Sequence, residues 1–135
     1  MRPFLFAILA SCGSSEWDGV YVGPLFASGY CSDGLPVAGR FPTQWALTEG
    51  PPGHLSIQSP CGCGGFAASV ASGRGVFEAK DCPPVKLGPE LALLRLDDGT
   101  LTHSGSVVRP DLSFTASRLS ASCRARLRGQ LERVR

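Results

Sequence analysis

The chain has 135 residues, with 13 Lys or Arg against 11 Asp or Glu, a net charge of +2 at pH 7 and only 18% charged residues. This length supports one domain with a real core and excludes two, and the small net charge argues against a nucleic-acid-binding protein. The 17 glycines and 11 prolines lie between short apolar stretches, so they predict many turns and not one disordered tract.

A short apolar run opens the chain at residues 4–10, after the single cation Arg2. It falls far below the roughly 20 apolar residues of a membrane-spanning helix, and its ends suit a signal peptide. The run finishes in Leu9-Ala10-Ser11-Cys12, which resembles the lipobox of bacterial lipoproteins. This resemblance implies cleavage before Cys12, a diacylglyceryl group on its thiol and a mature chain tethered to a membrane. The competing interpretation is an apolar first strand, or a ragged N-terminus, in a cytosolic protein.

The domain organisation and the location follow from the lipobox. Residues 1–11 are predicted to be a lipoprotein signal peptide, residues 12–16 a short tether and residues 17–135 a single β domain. Gly13 stands where inner-membrane lipoproteins of enteric bacteria carry an aspartate, so the predicted location is the outer membrane, facing the periplasm. The membrane is then a partner through the lipid anchor, since two or three acyl chains hold a protein stably.

The rest of the chain carries the pattern of short β-strands. Apolar residues recur at every second position more often than at every third or fourth, and few windows longer than ten residues escape Gly or Pro. This predicts an all-β fold, a small meandering antiparallel β-barrel or sandwich of about eight strands. Asp98-Gly99 and Pro110-Asp111 are predicted to be turns between strands. From Arg118 onwards a helix competes with the predicted strand. The candidate strands, some of which must merge, are residues 17–22, 37–41, 44–48, 54–58, 66–71, 75–80, 91–96, 101–108, 112–117 and 123–131.

Hairpin geometry predicts one disulfide bridge. If Ser72-Gly73 is a two-residue hairpin loop, residues whose numbers sum to 145 face each other, and Cys63 lies opposite Cys82. Cys61 is then left over and competes with Cys63 for the same partner.

A second bridge, between Cys31 and Cys123, is predicted to tie the first third of the chain to its last strand. It closes a loop of about 90 residues and is worth roughly 4 kcal/mol in the chain-entropy model. Both bridges suit an oxidising compartment, which the total of six cysteines also favours.

Metal binding and catalysis are not predicted. Cys61-Gly62-Cys63 with Cys82 and His54 offers zinc-ligand types, but the C-x-C spacing lacks the paired C-x-x-C of structural sites. His54 and His103 are each predicted to face solvent. The chain has no hydrolase or phosphate-binding motif, and Asp97-Asp98 suits a turn better than acid–base work. We therefore expect no metal and no cofactor, and a protein that is not an enzyme.

The charge is concentrated at the C-terminus. Residues 112–135 hold six arginines and one acid, whereas residues 12–111 hold six cations and ten acids. On a strand, Arg124, Arg126 and Arg128 would share one face, which suggests an anion-binding face for lipid phosphates, an anionic envelope polymer or an acidic envelope protein. The alternative is a solvated strand face that discourages edge pairing. Nucleic acid is not expected as a partner, because no interleaved aromatic set is visible and an exported protein has no obvious target.

The opening strand, residues 17–23, resembles the first strand of lipocalin-type barrels, which carry Gly-x-Trp where this chain has Ser15-Glu16-Trp17. The resemblance implies a barrel around a small-ligand cavity. The aromatic side chains expected to line such a cavity are Trp17, Tyr21, Phe26, Phe41 and Trp45.

A second resemblance involves Tyr30-Cys31-Ser32-Asp33-Gly34, then Ala71-Ser72-Gly73-Arg74, and the late Cys123. This order is similar to that of the membrane-bound inhibitors of c-type lysozyme. The resemblance implies a lipid-anchored β-barrel in which Ser72, Gly73 and Arg74 form a loop that enters the lysozyme cleft. The chain departs from that family's loop motif at Val70, where the family has serine.

Together these features predict a lipid-anchored cell-envelope protein that is binding or structural and not catalytic. The two alternatives are a periplasmic protein like the lysozyme inhibitors and a lipocalin-like binder of a small ligand.

Overall fold

The computed structural model describes residues 16–59, 64–87 and 90–135, and all the regular elements within them are β-strands. This confirms the predicted all-β class, and it confirms a strand for the segment beyond Arg118. The strands are β1 (Gly19–Cys31), β2 (Pro36–Glu49), β3 (His54–Gln58), β4 (Gly65–Ala71), β5 (Arg74–Phe77), β6 (Lys80–Asp81), β7 (Val85–Leu87), β8 (Glu90–Ser104), β9 (Val107–Ser117), β10 (Ser122–Gly129) and β11 (Leu131–Arg133).

Eight of these strands pair in a ring. The antiparallel pairing runs from β1 through β2, β3, β4, β5, β8, β9 and β10 and returns to β1. Strands β6 and β7 pair with β8, and β11 continues β10 against β1 and β9. Apart from β5 with β8 and the closing pair of β1 with β10, ring neighbours follow one another in the chain, so the fold is a small meandering barrel, one of the two architectures that the sequence predicts.

The hairpin between β4 and β5 has the predicted register. Ser72 and Gly73 both have positive φ, 53° and 75°, as a two-residue type I′ turn requires. Ala71 faces Arg74 and Ala68 faces Phe77, so residue numbers across the hairpin sum to 145. The dipeptide therefore sets the pairing in this part of the barrel.

The predicted turn at Asp98-Gly99 is wrong, because β8 runs straight through these residues. Gly99 pairs with Leu112 of β9, and an irregularity of register lies just before it, between Leu96 and Asp98. A Cβ on Gly99 would lie 2.5 Å from Leu112 Cδ2 and 3.2 Å from the Asp111 carbonyl oxygen, so close packing inside the sheet, and not a turn, favours a glycine here. The chain reverses instead at Gly105, whose φ is +62°.

The predicted turn at Pro110-Asp111 is also wrong, since both residues lie inside β9. Proline is normally excluded from central strands because it cannot donate a hydrogen bond to the ladder. Here β10 pairs with β9 only as far as Asp111, and β11 resumes the pairing at Val108. Pro110 thus occupies the gap where β10 gives way to β11, while on its other side it lies opposite Leu101 of β8.

The barrel interior is filled by side chains. The rings of Trp45, Phe66 and Phe77 pack together with centroids 6.0–6.1 Å apart, and Phe114 joins them at 6.5 Å from Phe66. The aliphatic residues around these rings are almost fully buried and include Leu25, Leu47, Leu55, Ile57, Leu96, Leu101, Val108, Leu112 and Leu131. The strands are therefore held together by a continuous packed core.

Two of the five aromatics expected inside the barrel are not inside it. Trp17, Tyr21 and Trp45 are buried, but Phe26 is 51% exposed and Phe41 is 50% exposed. Phe26 follows the buried Leu25 directly, so strand alternation turns its ring outward. Phe41 has the inward parity of Trp45, but β3 pairs with β2 only over residues 46–49, and this part of β2 has no described strand on that side.

The predicted bridge between Cys31 and Cys123 is confirmed. The two residues face each other where β1 meets β10, and their sulfur atoms are bonded. Cys82 is disulfide-bonded as well. Its predicted partner Cys63, with Cys61, lies outside the described residues, so that pairing stays a prediction.

Candidate functional site

The arginines of β10 share one face, as predicted. Arg124, Arg126 and Arg128 are exposed, whereas Cys123 is buried and Leu127 packs against the core. Strand alternation alone produces this separation. Three of the six arginines of residues 112–135 therefore lie together on the outside of the barrel wall.

Strand β1 adds aromatic side chains to this face. Tyr30 lies opposite Arg124 and Phe26 lies opposite Arg128, with Ser28 and Arg126 between the two pairs. The exposed fractions are 71% for Tyr30 and 51% for Phe26. Two aromatic rings therefore lie beside the row of arginines on the outer surface.

Strand β2 extends the same surface by one more cation. Arg40 is exposed and lies directly opposite Phe26, on the side away from Arg128. We call the surface formed by the six residues Phe26, Tyr30, Arg40, Arg124, Arg126 and Arg128 the arginine face.

One acidic side chain is bound to the arginine face. Asp111 of β9 accepts two hydrogen bonds from Arg126, from Nε to Oδ1 and from Nη2 to Oδ2, each 2.7 Å. These bonds lower the pKa of Asp111, although partial burial opposes the shift, and Arg128 adds its positive charge. Across the part of the chain that the structure describes, Arg40 and Arg124 form no ion pair. The face keeps an excess of positive charge.

The pair between Asp111 and Arg126 predicts an acid-dependent loss of stability. Because folding lowers the pKa of Asp111, the carboxylate stabilises the fold above the unfolded pKa of about 4, and this contribution is lost as the pH falls through the lower folded value. We expect Asp111→Asn to be slightly less stable than the native chain at pH 7, with the difference narrowing below about pH 4. Urea unfolding at several pH values measures it, and 0.5 M NaCl should shrink the difference at pH 7. A difference that is independent of pH would contradict this prediction.

A polar cluster closes one end of the barrel. The Tyr21 hydroxyl donates to the Trp17 carbonyl oxygen at 3.0 Å and accepts from Arg133 Nη2 at 2.7 Å and Nε at 3.1 Å. Arg133 also donates to the Glu16 carbonyl oxygen and lies 3.3 Å from His103 Nε2. These hydrogen bonds connect β11 to the start of β1 and to the residues just before it. We call this group of residues the end cluster.

Removal of the Tyr21 hydroxyl should destabilise the fold. Tyr21 is 0% exposed, so Tyr21→Phe leaves the Arg133 guanidinium without its buried acceptor, at a cost of about 1–2 kcal/mol in the free energy of unfolding. Tyr30→Phe is the matched control, because Tyr30 is 71% exposed and its hydroxyl has no hydrogen bond to a described residue. Thermal unfolding of both variants checks the prediction. Equal stability of the two variants would contradict it.

The predicted inhibitor loop lies at the same end as the end cluster. Ser72 and Arg74 are exposed at the hairpin between β4 and β5, and Gly73 accepts a backbone hydrogen bond from the His103 N–H at 2.9 Å. The His103 ring lies 5.1 Å from the ring of Trp17. The hairpin is therefore beside the point where the described chain begins, and its tip is a tight two-residue turn.

Three residues of the predicted sites lie outside the described ranges. They are Cys12, the predicted lipidation site, and the two cysteines Cys61 and Cys63. Among the residues that the structure describes, no group of three or more His, Cys, Asp or Glu side chains is placed to hold a metal ion. In those same ranges no helix is long and apolar enough to cross a membrane.

Half of the residues of the arginine face cannot be grouped from the sequence alone. Phe26, Tyr30 and Arg40 are about 90 residues away from the β10 arginines in the chain, and only the pairing of β1 with β10 and β2 brings them together. In the linear sequence no aromatic residues are interleaved with the cations, whereas strand pairing places two aromatic side chains beside them. The sequence does carry one indication, because Phe26, Ser28 and Tyr30 occupy alternate positions and would share one face of a strand.

No protein-family model matches this chain, and neither the curated proteins nor the solved structures include one significantly similar to it.

Proposed function

We propose that this protein is a lipid-anchored component of the bacterial cell envelope that acts by binding, and that the arginine face is its binding surface. The anchor is inferred from Leu9-Ala10-Ser11-Cys12. The observation that carries the binding role is the set of exposed arginines, of which Arg40 and Arg124 have no ion-pair partner among the described residues. Exposed cations grouped on one surface attract anionic ligands.

The position of the tether supports this choice of surface. Residues 12–17 span at most about 17 Å when extended, so lipidation at Cys12 would hold the Trp17 end of the barrel close to the membrane. Tyr30 and Arg124 lie on the last residues of β1 and near the start of β10, towards the opposite end. The arginine face would then remain accessible from the aqueous side.

The same position disfavours the inhibitor-like alternative. The hairpin of Ser72, Gly73 and Arg74 adjoins the Trp17 end through His103. In an anchored protein this hairpin would lie near the lipid surface, where access for a globular enzyme is poor. The lipocalin-like alternative is disfavoured by the interior, because the packed rings of Trp45, Phe66 and Phe77 leave little room for a ligand.

Cell fractionation tests the anchor. We expect the native chain expressed in a bacterial host to sediment with membranes, and Cys12→Ser to lose the acyl chains and their membrane affinity. Ser14→Ala, two residues further on, is the control and should remain with the membranes. A native chain in the soluble fraction, or a Cys12→Ser variant that fractionates like the native chain, would contradict the proposal.

A further inference from the structure

The arginine face has the layout of a track for a linear ligand. Its three β10 arginines follow one another at intervals of about 7 Å, because alternate residues of a strand share a face. Phe26 and Tyr30 flank this row four residues apart on β1, about 13 Å along the same direction. Cations and rings therefore lie side by side, with a ring opposite the first and the last arginine, over a length that would match several units of a polymer.

The aromatic rings differ from the β1 and β9 residues that flank the arginines. Ser28 and Ser113 are the neighbours of Arg126 on β1 and β9, and Thr115 is the β9 neighbour of Arg124. Phe26 and Tyr30 are instead large and at least half exposed. The exposed rings of Phe26 and Tyr30 do not contribute to the core, since both side chains point away from it. A ligand with apolar ring faces would cover them.

We propose that the arginine face binds a linear acidic glycan, a polysaccharide whose sugar rings carry carboxylate or phosphate groups. The arginines would donate charge-assisted hydrogen bonds to the acidic groups. The rings of Phe26 and Tyr30 have negatively polarised faces, on which the C–H groups of sugar rings stack. The residues of the face are exposed along the outer wall of the barrel, which leaves the row of arginines accessible to an extended polymer.

This inference rests on the proposed function for its choice among polyanions. Single-stranded nucleic acid also combines charge with stacking rings, but an exported protein does not normally meet it. An anionic lipid surface supplies charge without stacking partners, and the short tether would turn the Trp17 end, not the arginine face, towards it. The acidic glycan suits the charge, the rings and the proposed location together.

Binding of named probes to the full-length Cys12→Ser chain tests the inference, because that variant keeps the face and removes the acyl chains. The probes are polygalacturonate as the acidic glycan, dextran as a neutral glycan, a 20-residue thymidine oligonucleotide, and vesicles of phosphatidylglycerol or phosphatidylcholine. We expect polygalacturonate to bind most tightly of the probes and its affinity to fall as the salt concentration rises. Dextran should not displace it.

Variants locate the binding on the face. Arg124→Gln with Arg128→Gln should weaken polygalacturonate binding about tenfold, and Phe26→Thr with Tyr30→Thr should weaken it several-fold at unchanged net charge. Arg74→Gln with Arg135→Gln removes the same charge at exposed positions outside the arginine face and is expected to have little effect. Leu119→Thr, at a residue 98% exposed, controls for loss of an exposed apolar side chain. Thermal unfolding confirms that each variant remains folded.

Three results would overturn the inference. They are the absence of polygalacturonate binding, equal losses in the face and control variants, and tighter face-dependent binding of the oligonucleotide or of the phosphatidylglycerol vesicles. The assay uses a chain without lipid, so its outcome is independent of the anchor. A failed fractionation experiment with intact glycan binding would refute only the location, and the reverse pattern would refute only the glycan.

Discussion

Replacing Cys31 and Cys123 together by serine should lower the free energy of unfolding by about 4 kcal/mol, the largest effect we expect from any single site. The two cysteines are 92 residues apart in the chain, so their bond restricts most of the unfolded ensemble. It also joins β1 to β10 at the seam where the ring of strands closes. Urea unfolding of the oxidised proteins, with and without the substitutions, measures the difference.

The control for this experiment is Ser122→Ala, an exposed position next to Cys123 that should change stability by less than about 0.5 kcal/mol. Reducing agents are a poorer test, because Cys82 is also disulfide-bonded and would be reduced at the same time. A loss below about 1 kcal/mol in the double serine variant would show that the closure of β1 on β10 depends little on the bridge.

Gly29→Ala should have the second large effect and lower the free energy of unfolding by about 3 kcal/mol. A Cβ on Gly29 would overlap the carbonyl oxygen of Arg124 and lie 2.8 Å from Ala125 Cα, so the backbones of β1 and β10 would have to separate. Separation there pulls against the bond from Cys31 to Cys123, two residues away. Thermal unfolding and the urea midpoint both report the loss.

Gly50→Ala is the matched control for Gly29→Ala. Gly50 lies in the connection from β2 to β3, with no atom within 4 Å of the added Cβ and no positive φ. Alanine there should be neutral or slightly stabilising, because it reduces the freedom of the unfolded chain. Similar losses in both variants would mean that the close approach of β1 and β10 does not determine stability.

Local patterns in the sequence predicted the parts of the fold in which neighbours in the chain set the structure. Ser72-Gly73 predicted the register of β4 and β5, because a two-residue hairpin loop determines which residues face each other across the strands. Alternation also separated Arg124, Arg126 and Arg128 from Cys123 and Leu127. These predictions needed no knowledge of distant contacts.

The errors occurred where a distant contact decided the local structure. Gly99 resembles a turn residue, but the Leu112 side chain of β9 occupies the space beside it. Pro110 resembles a strand end, but the break between β10 and β11 accommodates it inside β9. The extent of the arginine face was missed for the same reason, since Phe26 joins the arginines only through strand pairing.

We propose a disulfide-bonded barrel that is held at a membrane by Cys12, and intact mass measurement of the protein from the membrane fraction tests this proposal most directly. We expect a chain that begins at Cys12, carries acyl chains and shows four thiols only after reduction. A chain that retains Met1, without acyl mass and with five or six free thiols, would contradict both the anchor and the bridges.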